Sequence, residues 1–211
     1  MPQAQGTLPL LDKVIISTRA IETADTLPEL LKAMGANVIS LPMIEIVQSQ
    51  RGPGETELLQ NAEQFDWIFF TSKNGVANFF KHLIDVKGST ELTKQVKKAV
   101  IGSKTAAELD YYGYAPDFMS EGNTSEEMLE QFYREYQPDN QKILLALGNL
   151  ADDTLLNRLS KENEVTRINV YETVKPKSAD AAILEAIKQD EYDLIVFTSP
   201  STFQNFCSFC L

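Results

Sequence analysis

The chain has 211 residues, 43% hydrophobic and 23% charged, with a formal net charge of −11. That length and composition fit two small globular domains, and no apolar run reaches the roughly 18 residues of a membrane span, which excludes a membrane protein. The acidic balance argues against nucleic acid or an anionic membrane as partner and leaves an anionic small molecule open.

The first residues, MPQAQGTLPLLDK, show no basic start followed by a long apolar stretch, so no signal peptide is expected and a cytoplasmic location is. From there apolar β-rich runs alternate with helical patterns, as in parallel α/β units. Val14 to Thr18 reads as a strand, followed by a helix with Leu27, Leu30, Leu31 and Met34 on its apolar face, closing at Gly35. Val38 to Ile46 reads as extended and residues 48–55 as a loop or linker. Trp67 to Thr71 is a strand, and the helix after it carries Val76, Phe79, Phe80, Leu83 and Ile84 at helical spacing. His82 lies off that stripe and is expected to be a solvated surface residue with no catalytic role. Residues 85–95 read as surface. Strand Ala99 to Ile101 precedes a helix from Thr105 to Tyr112 and a short strand near Ala115 to Phe118. Thr124 to Glu127 forms a capping box for a helix carrying Met128, Phe132 and Tyr136. Residues 142–147 form a strand, and Leu155, Leu156 and Leu159 mark a helix. Val165 to Val174 is extended, Ala179 to Ile187 helical, and Leu194 to Thr198 the last strand.

The segment FDWIFFTSKNGVANFF, from Phe65, recurs as YDLIVFTSPSTFQNFC, from Tyr192, at an offset of 127 with seven of 16 positions identical. Chance gives about one. The same offset aligns residues 33–46 with 160–173, so the chain reads as a duplicated α/β unit. It also carries the stripe of the first copy onto Phe203, Phe206, Cys207, Cys210 and Leu211. Both cysteines are therefore expected to be buried thiols rather than a metal or redox pair. The first copy continues through residues 97–118, whose counterparts start near position 224, so a βαβ-sized C-terminal piece is expected to be missing from this sequence.

Ligands of open parallel sheets collect outside the carboxyl ends of the strands. Those ends hold Ser17-Thr18-Arg19, Thr71-Ser72-Lys73-Asn74-Gly75, Gly102-Ser103-Lys104-Thr105, Gly148-Asn149 and Thr198-Ser199-Pro200-Ser201. Each combines hydroxyls or glycine with a helix start, where unpaired N–H groups and the helix dipole receive carboxylates or phosphates. Arg19, Lys73 and Lys104 add cations. Any one such turn is equally a plain helix cap; five of them, two related by duplication, point to a shared crevice for an anion. There is no GxSxG, Walker motif, GxGxxG or HExxH, so an enzyme built this way works by holding and orienting its substrate. Tyr171 stands where the offset places Ile44 in the first copy, and its phenol either packs at a strand edge or meets a ligand.

In order and spacing, VIISTR at 14–19, LPMIEI at 41–46, FDWIFFTSKNGV at 65–76, VIGSKTAAEL at 100–109, INVYET at 168–173 and YDLIVFTSPST at 192–202 resemble the uroporphyrinogen-III synthase family over nearly the whole chain. The resemblance implies two flavodoxin-like parallel-sheet domains joined by a two-stranded connector, the first discontinuous and here C-terminally incomplete. Residues 1–40 plus 175–211 form that domain, residues 48–167 the continuous one, and residues 41–47 and 168–174 the connector, with hinge motion near Val47 and Val174. The implied activity is cyclisation of the linear tetrapyrrole hydroxymethylbilane with loss of water and inversion of the last ring, by a monomer with no metal or organic cofactor. Backbone N–H groups beside Ser72, Thr105 and Ser199 then hold the substrate's carboxylates, with Thr18, Asn74, Gly102, Gly148 and Ser201 as further substrate-binding positions and Arg19 and Lys73 supplying charge. Tyr171 matches the family's linker tyrosine and assists the departing hydroxyl. The Gly-x-x-Thr-Ala turn expected in the second copy is absent. Competing readings are a non-catalytic two-domain binding protein or sensor for an anionic metabolite, and a nucleotide-sugar transferase with paired domains.

Overall fold

The structure is a computed structural model that describes residues 8–20 and 26–210; Leu211, the last position of the predicted second stripe, lies outside the described residues. In chain order the strands are β1 (Val14–Ser17), β2 (Asn37–Ser40), β3 (Glu45–Gln48), β4 (Trp67–Phe70), β5 (Lys97–Ile101), β6 (Phe118–Ser120), β7 (Lys142–Gly148), β8 (Glu164–Val174) and β9 (Leu194–Val196). The helices are α1 (Thr26–Ala33), α2 (Pro53–Gln60), α3 (Lys73–Lys87), α4 (Gly102–Tyr111), α5 (Ser125–Glu135), α6 (Thr154–Leu159), α7 (Ala181–Lys188) and α8 (Pro200–Cys210). The chain divides into two compact units, Val47–Thr173 and the discontinuous Met1–Ile46 with Val174–Leu211.

The larger unit is organised on a sheet of order β3-β8-β7-β4-β5-β6, parallel from β8 through β6. Its central strands are apolar on both faces, as a sheet covered on both sides requires. Alternation along β4 sends Ile68 and Phe70 to one core with Val76, Phe79, Phe80, Leu83 and Leu109. Trp67 and Phe69 go to the other, with Met128, Phe132, Leu155 and Leu159. Helices α3 and α4 therefore cover one face and α5 and α6 the opposite one. Thr124 caps α5 as its sequence predicts: its hydroxyl accepts the Glu127 N–H at 3.2 Å, and the Glu127 carboxylate accepts the Thr124 N–H at 3.1 Å.

The smaller unit has a three-stranded sheet, β2-β1-β9, parallel throughout. Ile16, Leu41 and Met43 form its core, with Ile183, Ile187, Phe206 and Phe209 packed around them.

The duplication is visible in the register. Val14 faces Asn37 as Lys142 faces Glu164, and Ile15 faces Leu194 as Ile143 faces Trp67. Even the entry to each strand repeats: Asp193 accepts the Val14 N–H at 2.8 Å and Asp66 accepts the Lys142 N–H at 2.7 Å. Each sheet thus joins the first two strands of one copy to the third strand of the other. This exchange makes one unit discontinuous.

Several elements depart from the sequence reading. Residues 48–55 do not form one loop, because α2 begins at Pro53, a favoured first helical residue, with the Glu55 carboxylate accepting the Gly52 N–H at 2.9 Å. The extended run from Val38 breaks after Ser40 and resumes at Glu45. Strand β6 lies later than predicted, at Phe118–Ser120, because pairing of Ala99 with Phe118 sets its position. The last strand ends at Val196 rather than Thr198. The stripes of the smaller unit are shallower than their spacing suggests: Leu30, Met34 and Phe203 are exposed and both cysteines are only half-buried. A sheet of three short strands offers too little area to bury whole helix faces. Ile84, on the edge of the α3 stripe, is also exposed.

Candidate functional site

In the larger sheet the chain adds β5 and β6 on one side of β4, then β7 and β8 on the other. The order reverses between β4 and β7, the switch point where ligands of open α/β sheets bind. Ser72 follows β4 and Gly148 ends β7, so both stand at that point. In the smaller sheet the reversal falls between β1 and β9, where Thr18 and Ser199 follow. The predicted strand-end residues therefore gather in two groups, one in each unit.

The group in the larger unit is the better defined. Ser72 caps α3 from an extended backbone and its hydroxyl accepts the Gly75 N–H at 3.1 Å. Gly75 is buried, and a Cβ there meets the Ala146 carbonyl at 3.0 Å, so its lack of a side chain lets the helix start close to β7. The Tyr171 hydroxyl lies 3.2 Å from Ser72 Oγ. Its ring lies against Gly148 so closely that a Cβ on that glycine would sit 2.4 Å from the Tyr171 Cζ. Glycine at 148 is thus required by the phenol, and the phenol of β8, the glycine of β7 and the serine that follows β4 meet at the carboxyl end of the sheet. Lys73 and Asn74 are half-buried in the first turn of α3.

One strand further on, Gly102 has φ +71°, a left-handed conformation that side chains resist, with open space where a Cβ would project. Helix α4 starts there, three residues earlier than the sequence suggests. Thr105 is consequently inside the helix and buried, where its N–H enters the intrahelical ladder. The donors at that terminus belong to Gly102, Ser103 and Lys104 instead.

In the smaller unit Thr18 is fully buried; its hydroxyl donates to the Val196 carbonyl at 2.8 Å and its carbonyl accepts the Met43 N–H at 3.0 Å. The hydroxyl proton is used inside the sheet, and the half-buried Arg19 follows directly. Ser199 caps α8, accepting the Thr202 N–H at 3.3 Å, with Ser201 Oγ at 2.9 Å.

Three residues important to the larger unit have roles that local sequence does not show, although Asn149 stands in one of the predicted strand-end turns. Asn149 binds the chain at Tyr171 and two residues beyond it: its N–H donates to the Tyr171 carbonyl at 3.2 Å, and its side-chain oxygen accepts the Thr173 N–H at 2.8 Å. Arg167, its side chain 17% exposed, donates to the carbonyls of Gly148 at 3.3 Å and Ala151 at 2.9 Å and pairs with Asp153.

The third, His82, is not a surface residue but is 1% exposed. Its Nε2 faces the Val170 carbonyl at 2.9 Å, which only accepts, so the ring proton is on Nε2. Nδ1 then accepts from Arg51 at 2.7 Å and Gln48 at 3.0 Å. Burial lowers the imidazole pKa against the opposing Val170 carbonyl, and the Arg51 charge lowers it further. The residues that cover His82 come from around β3 and from β8, more than 30 positions away in the chain.

Among the described residues no three His, Cys, Asp or Glu side chains are grouped as metal ligands, and no helix is long and apolar enough to cross a membrane. Burial raises the Cys210 thiol pKa, with neighbouring Cys207 adding to the effect.

The uroporphyrinogen-III synthase HemD family model matches residues 25–210. The porphyrin biosynthesis protein HemD of Ruminiclostridium josui is 30% identical over 94% of this chain, which spans 39% of that protein's length. The uroporphyrinogen-III synthase of Synechococcus elongatus is 28% identical over 94% of this chain and 75% of its own. Among solved structures, a mutant uroporphyrinogen III synthase from Thermus thermophilus shares the fold with a TM-score of 0.60 at 15% identity, over 93% of this chain and 76% of that one. The chain belongs to the uroporphyrinogen-III synthase family.

Proposed function

We propose that the chain is a uroporphyrinogen-III synthase, a hydro-lyase that closes hydroxymethylbilane into a macrocycle with loss of water and inversion of the last ring. The observation that carries the reading is the Tyr171 phenol, set over Gly148 and 3.2 Å from Ser72 Oγ at the switch point of the larger sheet. The hydroxymethyl C–O bond breaks as the leaving oxygen, hydrogen-bonded by Tyr171, takes up a proton from the phenol or from solvent, giving an azafulvene cation and water. The substituted carbon of the last ring attacks that cation, and a spiro intermediate rearranges to the inverted ring before a proton is lost. The hard step is one of orientation rather than activation, so the chain's task is to hold the substrate.

Substrate carboxylates are taken by the turns at Ser72-Lys73-Asn74, at Gly102 to Lys104, and at Ser199 and Ser201, with Arg19 and Lys73 supplying charge and Thr105 packed behind the Gly102 turn. Thr18 anchors the turn that presents Arg19. In this reading residues 1–40 with 175–211, and residues 48–167, are flavodoxin-like lobes, and residues 41–47 and 168–174 are the two-stranded connector that carries Tyr171. The protein acts as a cytoplasmic monomer on a small-molecule substrate, without metal or organic cofactor. The test is to supply freshly made hydroxymethylbilane to the purified protein and separate the oxidised porphyrin isomers. Type III product supports the synthase; the spontaneous type I isomer alone overturns it and favours a binding protein.

A further inference from the structure

We infer that Asn149, itself held by Arg167, is the positioning residue that fixes Tyr171 over the reacting centre; the catalytic part of this inference rests on the proposed function. Strand β7 ends at Gly148, and its register with β8 shifts between Leu147 and Gly148, so that Gly148 faces Tyr171. Past Gly148 no β7 backbone remains to hold β8. Asn149 supplies the continuation. Its backbone N–H donates to the Tyr171 carbonyl at 3.2 Å. Its side-chain amide accepts the Thr173 N–H at 2.8 Å and donates to the Thr173 carbonyl at 3.4 Å, imitating one more residue of a strand.

One residue thus pins the backbone that leaves the phenol, at the Tyr171 carbonyl and at both backbone groups of Thr173. The segment carrying Asn149 is fixed in turn by a single guanidinium. Arg167 donates to the carbonyls of Gly148 at 3.3 Å, Ala151 at 2.9 Å and Asp152 at 3.3 Å, and its charge is balanced by Asp153. Five donors in a rigid planar fork suit that task, and a lysine's point charge does not. A helix that followed β7 directly would leave no residue to reach across to Thr173; α6 starts only at Thr154. The loop between them is therefore a bracket for β8 rather than slack.

Two measurements test this. In the cyclisation assay, Asn149→Ala is expected to lower kcat on the order of ten-fold with KM within about two-fold, because the phenol is displaced while the carboxylate-binding turns stay. Asn149→Asp keeps the acceptor for the Thr173 N–H and recovers part of that loss. In the Tyr171→Phe background Asn149→Ala has no further effect. Independent multiplication of the two losses overturns the inference, as does an Asn149→Asp variant no faster than Asn149→Ala. The second measurement needs no activity: the nuclear Overhauser contact between the Tyr171 ring and the Gly148 Hα, present in the unaltered protein, is lost in Asn149→Ala. Its persistence overturns the positioning role. An unaltered protein that forms only type I product would defeat the synthase reading while leaving this second measurement decisive for the bracket.

Discussion

Gly148 and His82 show how much one position can depend on distant chain. A Cβ at 148 collides with the Tyr171 ring, so Gly148→Ala forces the phenol away from Ser72. The expected result is a loss of turnover approaching 10²-fold in the isomer assay and a destabilisation of about 1–3 kcal/mol by denaturant titration. His82 is neutral in its buried site, with its folded-state pKa below the ordinary 6.5. Above that value both folded and unfolded states are neutral and the stability is fully present. As pH falls below it the unfolded chain takes up a proton that the folded site resists, so stability declines until the folded pKa is reached. Groups facing the ring are Arg51, Gln48, Asp85 and the more distant Glu55. The melting temperature should fall between about pH 6.5 and 5, above the range where carboxylates such as Asp85 protonate, and His82→Gln should flatten that fall. An unchanged slope in His82→Gln would assign it to another group. Periodicity put His82 in solvent because α3 alone leaves it uncovered.

At the level of elements, the strand-entry carboxylates are the clearest repeated device. Asp66 and Asp193 each accept the first N–H of a strand from the other copy, and each also donates its own N–H to that strand, at 2.8 Å in both cases. Asp66→Ala should cost about 1 kcal/mol in urea unfolding of the larger unit. Asp66→Asn, which keeps an acceptor, should recover most of it. Repeated motifs, capping boxes and apolar runs were legible because they are written in adjacent residues: β4, β7, α5 and the Ser72 cap all follow from local pattern. The bracket formed by Asn149 and Arg167 was not, because its meaning depends on Thr173 lying opposite, and that follows only from β7–β8 pairing. Helix α2 had a readable start in Pro53 and Glu55, masked by the two glycines that flank Pro53. The placement of α4 turned on the left-handed backbone of Gly102, which sequence permits without requiring.

For the whole molecule, the two units differ in how deeply they are built. The larger has apolar cores on both faces of its sheet, with Phe70, Phe79, Phe80, Trp67 and Phe132 fully or nearly fully buried. The smaller joins three short strands to helices in which Thr202 is the one buried residue of α8 and α7 has none. Amide hydrogen exchange should therefore be slowest in β4 and β7 and faster in β9, α7 and α8. Equal protection in the two units would contradict that order. The pairing of β1 with β9 has a further consequence for biosynthesis. On the ribosome Val47–Thr173 can complete its sheet as soon as β8 emerges, whereas β1 and β2, translated first, must wait for Leu194–Val196 before their third strand exists. The part of the nascent polypeptide made earliest is thus finished last, and its Ile15 and Ile16 are the surface a chaperone would shield in the interval.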